Sequence, residues 1–178
     1  MPWDAPGSTA IVVLTREAEP VAGRFYREHS SAGHDEMTPH VTLVVPFMPA
    51  DVITEGIERR LRRLFGRFEA FNYVLERFQY FESGVLYLAP EPPEPFVDVV
   101  QALAKEFPDY PPYEGVHDDV IPHVTIAESR DEELLTRIRS EVEPQLPITC
   151  RAEAASLVAR GADLRWRPQA AYALGSLE

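Results

Sequence analysis

Apolar and polar residues alternate with a period of two along two separate stretches of this chain. Every second position from Val41 to Phe47 is apolar, and a shorter alternation runs from Val124 to Ile126. Side chains two positions apart lie on the same face of a β-strand. Because the stretches are also rich in β-branched residues, the pattern predicts two strands, each with one face in a core.

The rest of the pattern predicts further strands interleaved with amphipathic helices. This order is typical of an α+β fold with helices packed outside antiparallel sheet. The length of 178 residues suits a single bilobal domain over residues 1–178. Four prolines in residues 90–95 predict a stiff connector, which we take as the lobe boundary. The other predicted strands are 9–14, 71–81, 85–89, 148–155, 156–159 and 166–174, and the predicted helices are 20–30, 51–68, 96–107 and 131–142.

The two alternating stretches contain the same short motif. The chain reads Pro-His-Val-Thr-Leu at 39–43 and Pro-His-Val-Thr-Ile at 122–126, so the histidines are 83 residues apart. Strand periodicity places His40 and Thr42 on one face, and His123 and Thr125 on one face. A buried strand with one hydrogen-bonded histidine would explain a single copy. Packing alone gives no reason to repeat both polar residues, so the duplication indicates a functional pair.

These residues resemble the two His-x-Thr motifs of the 2H phosphoesterase superfamily. Within it, the chain is most similar to the 2′-5′ RNA ligase-like group, which includes RNA 2′,3′-cyclic phosphodiesterases. The run 111–115 and the approach 118–123 to the second motif resemble bacterial members, and the resemblance spans roughly residues 8–175. Several relatives have a basic residue shortly after the second motif, whereas this chain has Glu128 and, two residues later, Arg130.

The resemblance implies two pseudo-symmetric lobes around a cleft and an enzyme of RNA processing. It identifies His40 and His123 as catalytic, Thr42 and Thr125 as phosphate-binding, and it implies no cofactor and no metal. An imidazole pKa near 6.5 makes both the acid and the base form available near neutral pH. One histidine would take a proton from water or a hydroxyl, and the other would give one to the leaving oxygen. The threonine hydroxyls would stabilise charge on the non-bridging oxygens.

The charge distribution restricts the substrate. The net charge is −12. Residues 1–90 contribute −3 (9 basic, 12 acidic) and residues 91–178 contribute −9 (8 basic, 17 acidic). Proteins that bind long nucleic acids usually present a basic surface. We therefore expect a small nucleotide or an RNA terminus as the substrate, and no long nucleic acid as a partner.

Several other residues carry chemistry that allows two interpretations. Five arginines between Arg59 and Arg67 form either an RNA-contacting face or, as we favour, a solvated helix face partly paired with Glu55 and Glu58. Tyr113 either stacks on a base or packs its loop. His29 and His34 suit the end of a helix. The lone Cys150 suits a buried apolar position and a reducing compartment.

Two further functions stay open at this stage. A nucleotide- or RNA-binding module on the same fold would keep the cleft without turnover, and Glu128 with the acidic second half favours it. A metallohydrolase would use His117, Asp118 and Asp119, although residues adjacent in a strand alternate in direction. We find no signal peptide and no apolar run long enough to span a membrane, so we expect a cytoplasmic monomer.

Overall fold

Strands form where apolar residues recur with a period of two, and helices form where they recur with a period of about 3.6. The computed structural model describes residues 5–116 and 120–175. The strands are β1 (Thr9–Leu14), β2 (His40–Val44), β3 (Phe71–Phe81), β4 (Val85–Glu91), β5 (Val124–Glu128), β6 (Ile148–Ala152), β7 (Ala154–Arg160) and β8 (Trp166–Ala173). The helices are α1 (Glu19–His29), α2 (Ser31–His34), α3 (Glu55–Phe65), α4 (Glu94–Glu106) and α5 (Glu132–Val142).

The eight strands form one antiparallel sheet in the order β6-β3-β4-β5-β2-β1-β7-β8. The two motif strands, β2 and β5, are neighbours at its centre, where Val41 pairs with Val124. The boundary between β5 and β2 thus divides the sheet into two halves of four strands. Residues 71–152 supply all the strands of one half, β6, β3, β4 and β5. The α+β class and the antiparallel sheet with packed helices are confirmed.

The motif strands bury the apolar face that the alternation predicted. Val41, Leu43, Val124 and Ile126 are at most 1% exposed and belong to the main core. A smaller apolar cluster includes Val12 of β1 and Tyr26 of α1. The side chains between the buried ones in each motif are only half-buried. Packing on one face therefore leaves the polar side chains of both strands on the opposite, less buried face.

Two predicted helix boundaries near the motifs differ from the structure. The predicted helix 51–68 is shorter, because Thr54 caps α3 by accepting a hydrogen bond from the Ile57 N–H at 3.4 Å. A separate short 3-10 turn precedes it at Ala50–Val52. Ser30 does not continue α1 but caps α2, where its hydroxyl accepts from the Gly33 N–H.

The proline-rich residues 90–95, predicted to be a stiff connector, join β4 to α4. They include the last two residues of β4 and the first two of α4, and they lie within the half of the sheet built by residues 71–152. Prolines suit both positions, since a strand end and the first turn of a helix need no N–H donor there. The break between the predicted strands 148–155 and 156–159 lies earlier in the structure, because β6 ends at Ala152 and β7 begins at Ala154.

Within residues 5–116 and 120–175, no helix is long and apolar enough to cross a membrane.

Candidate active site

His40 is the first residue of β2, and its ring is fixed by the backbone just before it. The Nδ1 atom lies 2.9 Å from the carbonyl oxygen of Thr38. A carbonyl oxygen can only accept, so Nδ1 carries the hydrogen and donates it. In the neutral ring this leaves Nε2 as an unprotonated base.

His123 directly precedes β5 and repeats this arrangement. Its Nδ1 atom donates to the carbonyl oxygen of Ile121 at 2.7 Å. In both motifs the acceptor lies two residues before the histidine, on the other side of the proline. The repeated sequence therefore produces the same tautomer and the same tether twice.

The sheet brings the two motifs together. Because β2 and β5 are antiparallel and pair at Val41 and Val124, extending that register by one residue each way sets His40 beside Thr125 and Thr42 beside His123. The four polar residues share one face of the sheet. All four residues that sequence analysis selected are thus brought to one place.

The protein environment disfavours the charged form of both rings. Burial lowers the pKa of His40 from 6.5 to about 4, against the opposing effect of the Thr38 carbonyl, and the charge of nearby His123 lowers it further. Burial also lowers the pKa of His123, against the effect of the Ile121 carbonyl. Both imidazoles are therefore neutral at pH 7 in the protein alone, and each is available as a base.

Different aromatic residues surround the two rings. Tyr26 of α1 lies edge-on to His40, with ring centroids 6.3 Å apart and its hydroxyl 3.5 Å from Nδ1. His123 contacts Phe81 at 5.1 Å and Tyr87 at 5.5 Å, and these two rings stack on each other at 4.2 Å. Sequence analysis did not select Phe81 or Tyr87, because strand periodicity alone does not show which ring a strand residue meets.

Tyr113 also reaches the site. Burial raises the pKa of its phenol, against an opposing effect of the nearby Thr42 side chain, so the phenol is protonated at neutral pH. The backbone N–H of Tyr113 donates to the carbonyl of Val45 at 2.8 Å, which attaches its turn to the end of β2. Tyr113 therefore lies beside the first motif, near the predicted phosphate ligand Thr42. Base stacking by Tyr113 stays a prediction.

The residues after the second motif have local partners. The Glu128 carboxylate accepts hydrogen bonds from the Ser31 N–H at 3.2 Å and the Ser31 hydroxyl at 3.1 Å, which ties β5 to α2. Arg130 donates to the carbonyl of Glu82 at 2.9 Å, in the turn between β3 and β4. Glu128 and Arg130 thus stabilise the frame around the site.

The other candidate residues lie in structural positions. On α3, Arg59 pairs with Glu55 at 3.4 Å and Arg62 with Glu58 at 2.7 Å, as expected for a solvated helix face. Cys150 is 1% exposed and burial raises its pKa to about 12, which suits a packing residue. His29 lies in the last turn of α1, as predicted, whereas His34 lies in the separate short helix α2, which the sequence pattern did not predict.

The proposed metal ligands His117, Asp118 and Asp119 lie outside the described residues. Among residues 5–116 and 120–175, no group of three or more His, Cys, Asp or Glu side chains is placed to hold a metal ion.

Comparison with known proteins identifies the family. The profile of the 2′-5′ RNA ligase superfamily matches residues 14–164 of this chain. The chain therefore belongs to this superfamily, whose members are 2H phosphoesterases, and the resemblance noted in the sequence is confirmed.

Relatives agree with that assignment. E. coli LigT complexed with 3′-AMP shares the fold with a TM-score of 0.57 and 18% identity, over 97% of this chain and 100% of that chain. The protein TT0787 of Thermus thermophilus gives a TM-score of 0.65 at 16% identity, over 96% of this chain and 100% of that chain. A Bacillus licheniformis protein named as a candidate phosphoesterase is 26% identical over 110 residues, 58% of this chain and 60% of that protein. Family and fold together support a phosphoesterase function.

Proposed function

We propose that this chain is a two-histidine phosphoesterase that opens 2′,3′-cyclic phosphates of nucleotides or RNA ends and needs no metal ion. The observation that carries the proposal is the duplicated tether, which fixes both Nδ1 atoms and leaves both Nε2 atoms free to exchange protons. The antiparallel register that sets each histidine beside the threonine of the other motif supports it. One chain supplies both motifs, so a monomer contains the whole site.

In the proposed reaction, the cyclic phosphate lies between His40 and His123. The neutral imidazole of one histidine takes a proton from water as the water oxygen bonds to phosphorus. The bond from phosphorus to the 3′ oxygen breaks, and the protonated imidazole of the other histidine gives its proton to that oxygen. The products are a 2′-phosphate and a free 3′-hydroxyl. If a 5′-hydroxyl of RNA replaces water, the same steps form a 2′-5′ linkage.

The lowered pKa values of His40 and His123 are compatible with this reaction because the substrate is a phosphate anion. A phosphate anion beside the rings favours the charged imidazole and raises its pKa. We propose that substrate binding thereby creates the acid, while the second ring, repelled by the first, stays neutral as the base. The hydroxyls of Thr42 and Thr125 donate to the non-bridging oxygens, where negative charge grows.

The substrate class follows from charge and from the relatives. The net charge of −12 and the paired arginines of α3 favour a small nucleotide or an RNA end over a long nucleic acid. E. coli LigT, which shares the fold, has been crystallised with 3′-AMP. We therefore propose a nucleotide-sized ligand for this cleft.

The test is hydrolysis of 2′,3′-cyclic nucleotides in EDTA by wild type, His40→Ala and His123→Ala. Each substitution should lower kcat by about 10² to 10⁴, since each removes one positioned acid or base. His34→Ala is the matched control, because its ring contacts only the Glu28 carbonyl among the hydrogen bonds described, at 3.0 Å. Full activity in either site variant, or loss of wild-type activity in EDTA, would contradict the proposal.

A binding module without turnover is the second candidate. The observation that favours it is the low pKa of His40, because the acid form is scarce unless a ligand restores it. It predicts that wild type binds a cyclic nucleotide, that both histidine variants bind more weakly, and that no product forms.

A further inference from the structure

The two halves of the sheet differ on the face that carries the polar side chains of the motifs. In the first half this face is covered. Val12 is the cross-strand neighbour of Thr42, Ser156 is the neighbour of Val12, and both are at most 7% exposed. Val12 packs in the apolar cluster that includes Tyr26 and Met37. This half of the sheet therefore leaves a ligand bound at the motifs little surface to extend over.

In the second half, the row of cross-strand neighbours that begins at Thr125 ends in an exposed polar side chain. Tyr87 is the neighbour of Thr125, and Gln79 is the neighbour of Tyr87. Paired residues share a face, and strands are about 4.8 Å apart, so the Cα atoms of Gln79 and Thr125 are about 10 Å apart. Gln79 is exposed, and among residues 5–116 and 120–175 its amide has no hydrogen-bond partner. Its donor and its acceptor are both available to a ligand.

The adjacent row begins at His123 and reaches Arg77 across a small residue. Leu88 pairs with Val124. Extending this register by one residue sets Ala89 beside His123. Arg77 is in turn the cross-strand neighbour of Ala89. Ala89 is half-buried and the side chain of Arg77 is 67% exposed, so the surface between the histidine and the arginine carries only a methyl group.

The guanidinium of Arg77 is only loosely paired within the protein. It lies 3.8 Å from the carboxylate of Glu76 and 3.7 Å from that of Glu91, and both distances are longer than a hydrogen bond. Exposed ion pairs of this kind are weak, because water screens them. A ligand with acceptor atoms at this position would therefore gain hydrogen bonds from Arg77 without breaking stronger ones.

We propose that the nucleoside of the substrate lies over Ala89 and that Arg77 and Gln79 are specificity-determining residues that select a purine base. A nucleotide carries its base to one side of its phosphate, and the open half of the sheet is the side with space for it. Arginine donates two hydrogen bonds to O6 and N7 of guanine, and glutamine pairs with N6 and N7 of adenine. Both pairings use N7, which pyrimidines lack. The inference rests on the proposed function, because it takes the ligand at the histidines to be a nucleotide.

Base selectivity tests this assignment. The kcat/KM is measured for the 2′,3′-cyclic phosphates of guanosine, adenosine and cytidine with wild type, Arg77→Met and Gln79→Leu. Wild type should favour both purines over cytidine by about five- to a hundredfold, the usual discrimination of one bidentate pair. Arg77→Met should lower the guanosine value by about three- to tenfold, and Gln79→Leu should lower the adenosine value by a similar factor, because each removes hydrogen bonds to the base. Both variants should leave the cytidine value unchanged.

The matched control variants are Arg63→Met on α3 and Gln101→Leu on α4, which remove the same functional groups at exposed positions. Both should leave all three kcat/KM values unchanged. The Kd values of guanosine, adenosine and cytidine 2′-monophosphates, measured by calorimetry, give a readout that does not need turnover. They should show the same preference for purines and the same selective losses in Arg77→Met and Gln79→Leu.

The outcomes separate this inference from the proposed function. Purine-selective binding that the two variants lose, without any product, would support the inference and contradict the hydrolysis. Turnover by wild type without base preference, or equal losses for all three bases in Arg77→Met and Gln79→Leu, would overturn the inference and leave the hydrolysis standing. A wild type that prefers cytidine would also overturn the inference. Absence of both binding and product would overturn the inference together with the proposed function.

Discussion

The two motif strands have the same sequence phrase but different surroundings. Both histidines donate Nδ1 to a carbonyl two residues earlier. Beyond that, His40 meets the ring of Tyr26, whereas His123 meets the stacked pair Phe81 and Tyr87. The comparison teaches that a duplicated motif determines the tether and the face of each side chain. Elements from elsewhere in the chain determine the environment of each ring, and so the two histidines need not behave alike.

The largest expected effect is the pH dependence of stability that His40 contributes to the first motif strand. Below pH 6.5 the unfolded chain protonates residue 40, but the folded protein does not until about pH 4. The free energy of unfolding should therefore fall as pH drops through this window, by up to about 3 kcal/mol from His40. Urea unfolding of wild type and His40→Gln at pH 7 to 4.5 measures this, and the variant should lose less stability.

His123→Gln is the comparison for that experiment. The pKa of His123 is also lowered, so this substitution should change the pH dependence with the same sign. Parallel stability curves for wild type and His40→Gln would contradict the burial argument for His40.

A smaller effect is expected from Phe81 and Tyr87, the two aromatic residues that contact His123. Phe81→Leu keeps an apolar side chain but removes the edge-to-face contact with His123, which is worth about 0.5–1.5 kcal/mol. We expect kcat/KM for a 2′,3′-cyclic nucleotide to fall by about two- to tenfold, because His123 is less well oriented. The NMR signals of His123 should shift while those of His40 stay in place.

Phe78→Leu is the control, because Phe78 lies on the same strand but packs against the main core. It should lower stability without changing kcat/KM. Equal shifts of both histidine signals in Phe81→Leu would mean that the two halves are not independent.

The smallest expected effect concerns the contact between β5 and α2. Glu128→Gln removes the charge that accepts two hydrogen bonds from Ser31. Because the carboxylate is exposed, we expect a loss of only about 0.5–1 kcal/mol, measured by thermal unfolding. Asp98→Asn, at an exposed position of α4, controls for the change in net charge. A tenfold change in kcat for Glu128→Gln would assign this residue to the site.

Local periodicity was sufficient to predict the strands that hold the site. The alternation around His40 gave β2 and its polar face, and residues 71–81 and 9–14 matched β3 and β1. Asp131 was predicted at the start of the last helix, and it caps α5 by accepting from the N–H groups of Glu133 and Leu134. Such features depend on residues close in sequence, so a single sequence contains them.

Contacts between distant segments could not be predicted in this way. The attachment of Tyr113 to the end of β2 requires a left-handed turn at two non-glycine residues, for which the sequence gives no signal. The contact of Phe81 with His123 depends on β4 pairing with β5. The start of the helix that follows β2 was misplaced, because Ile53 fits the helical pattern although Thr54 is the cap.

The carbonyl tethers of the two histidines have one more consequence. Nδ1 donates to its carbonyl whether the ring is neutral or cationic, because the proton that comes and goes is the one on Nε2. Neither ring needs to turn over when its charge changes. Each Nε2 atom can therefore gain or lose a proton with little rearrangement of the surrounding atoms. The positions of both rings are the same before and after each transfer.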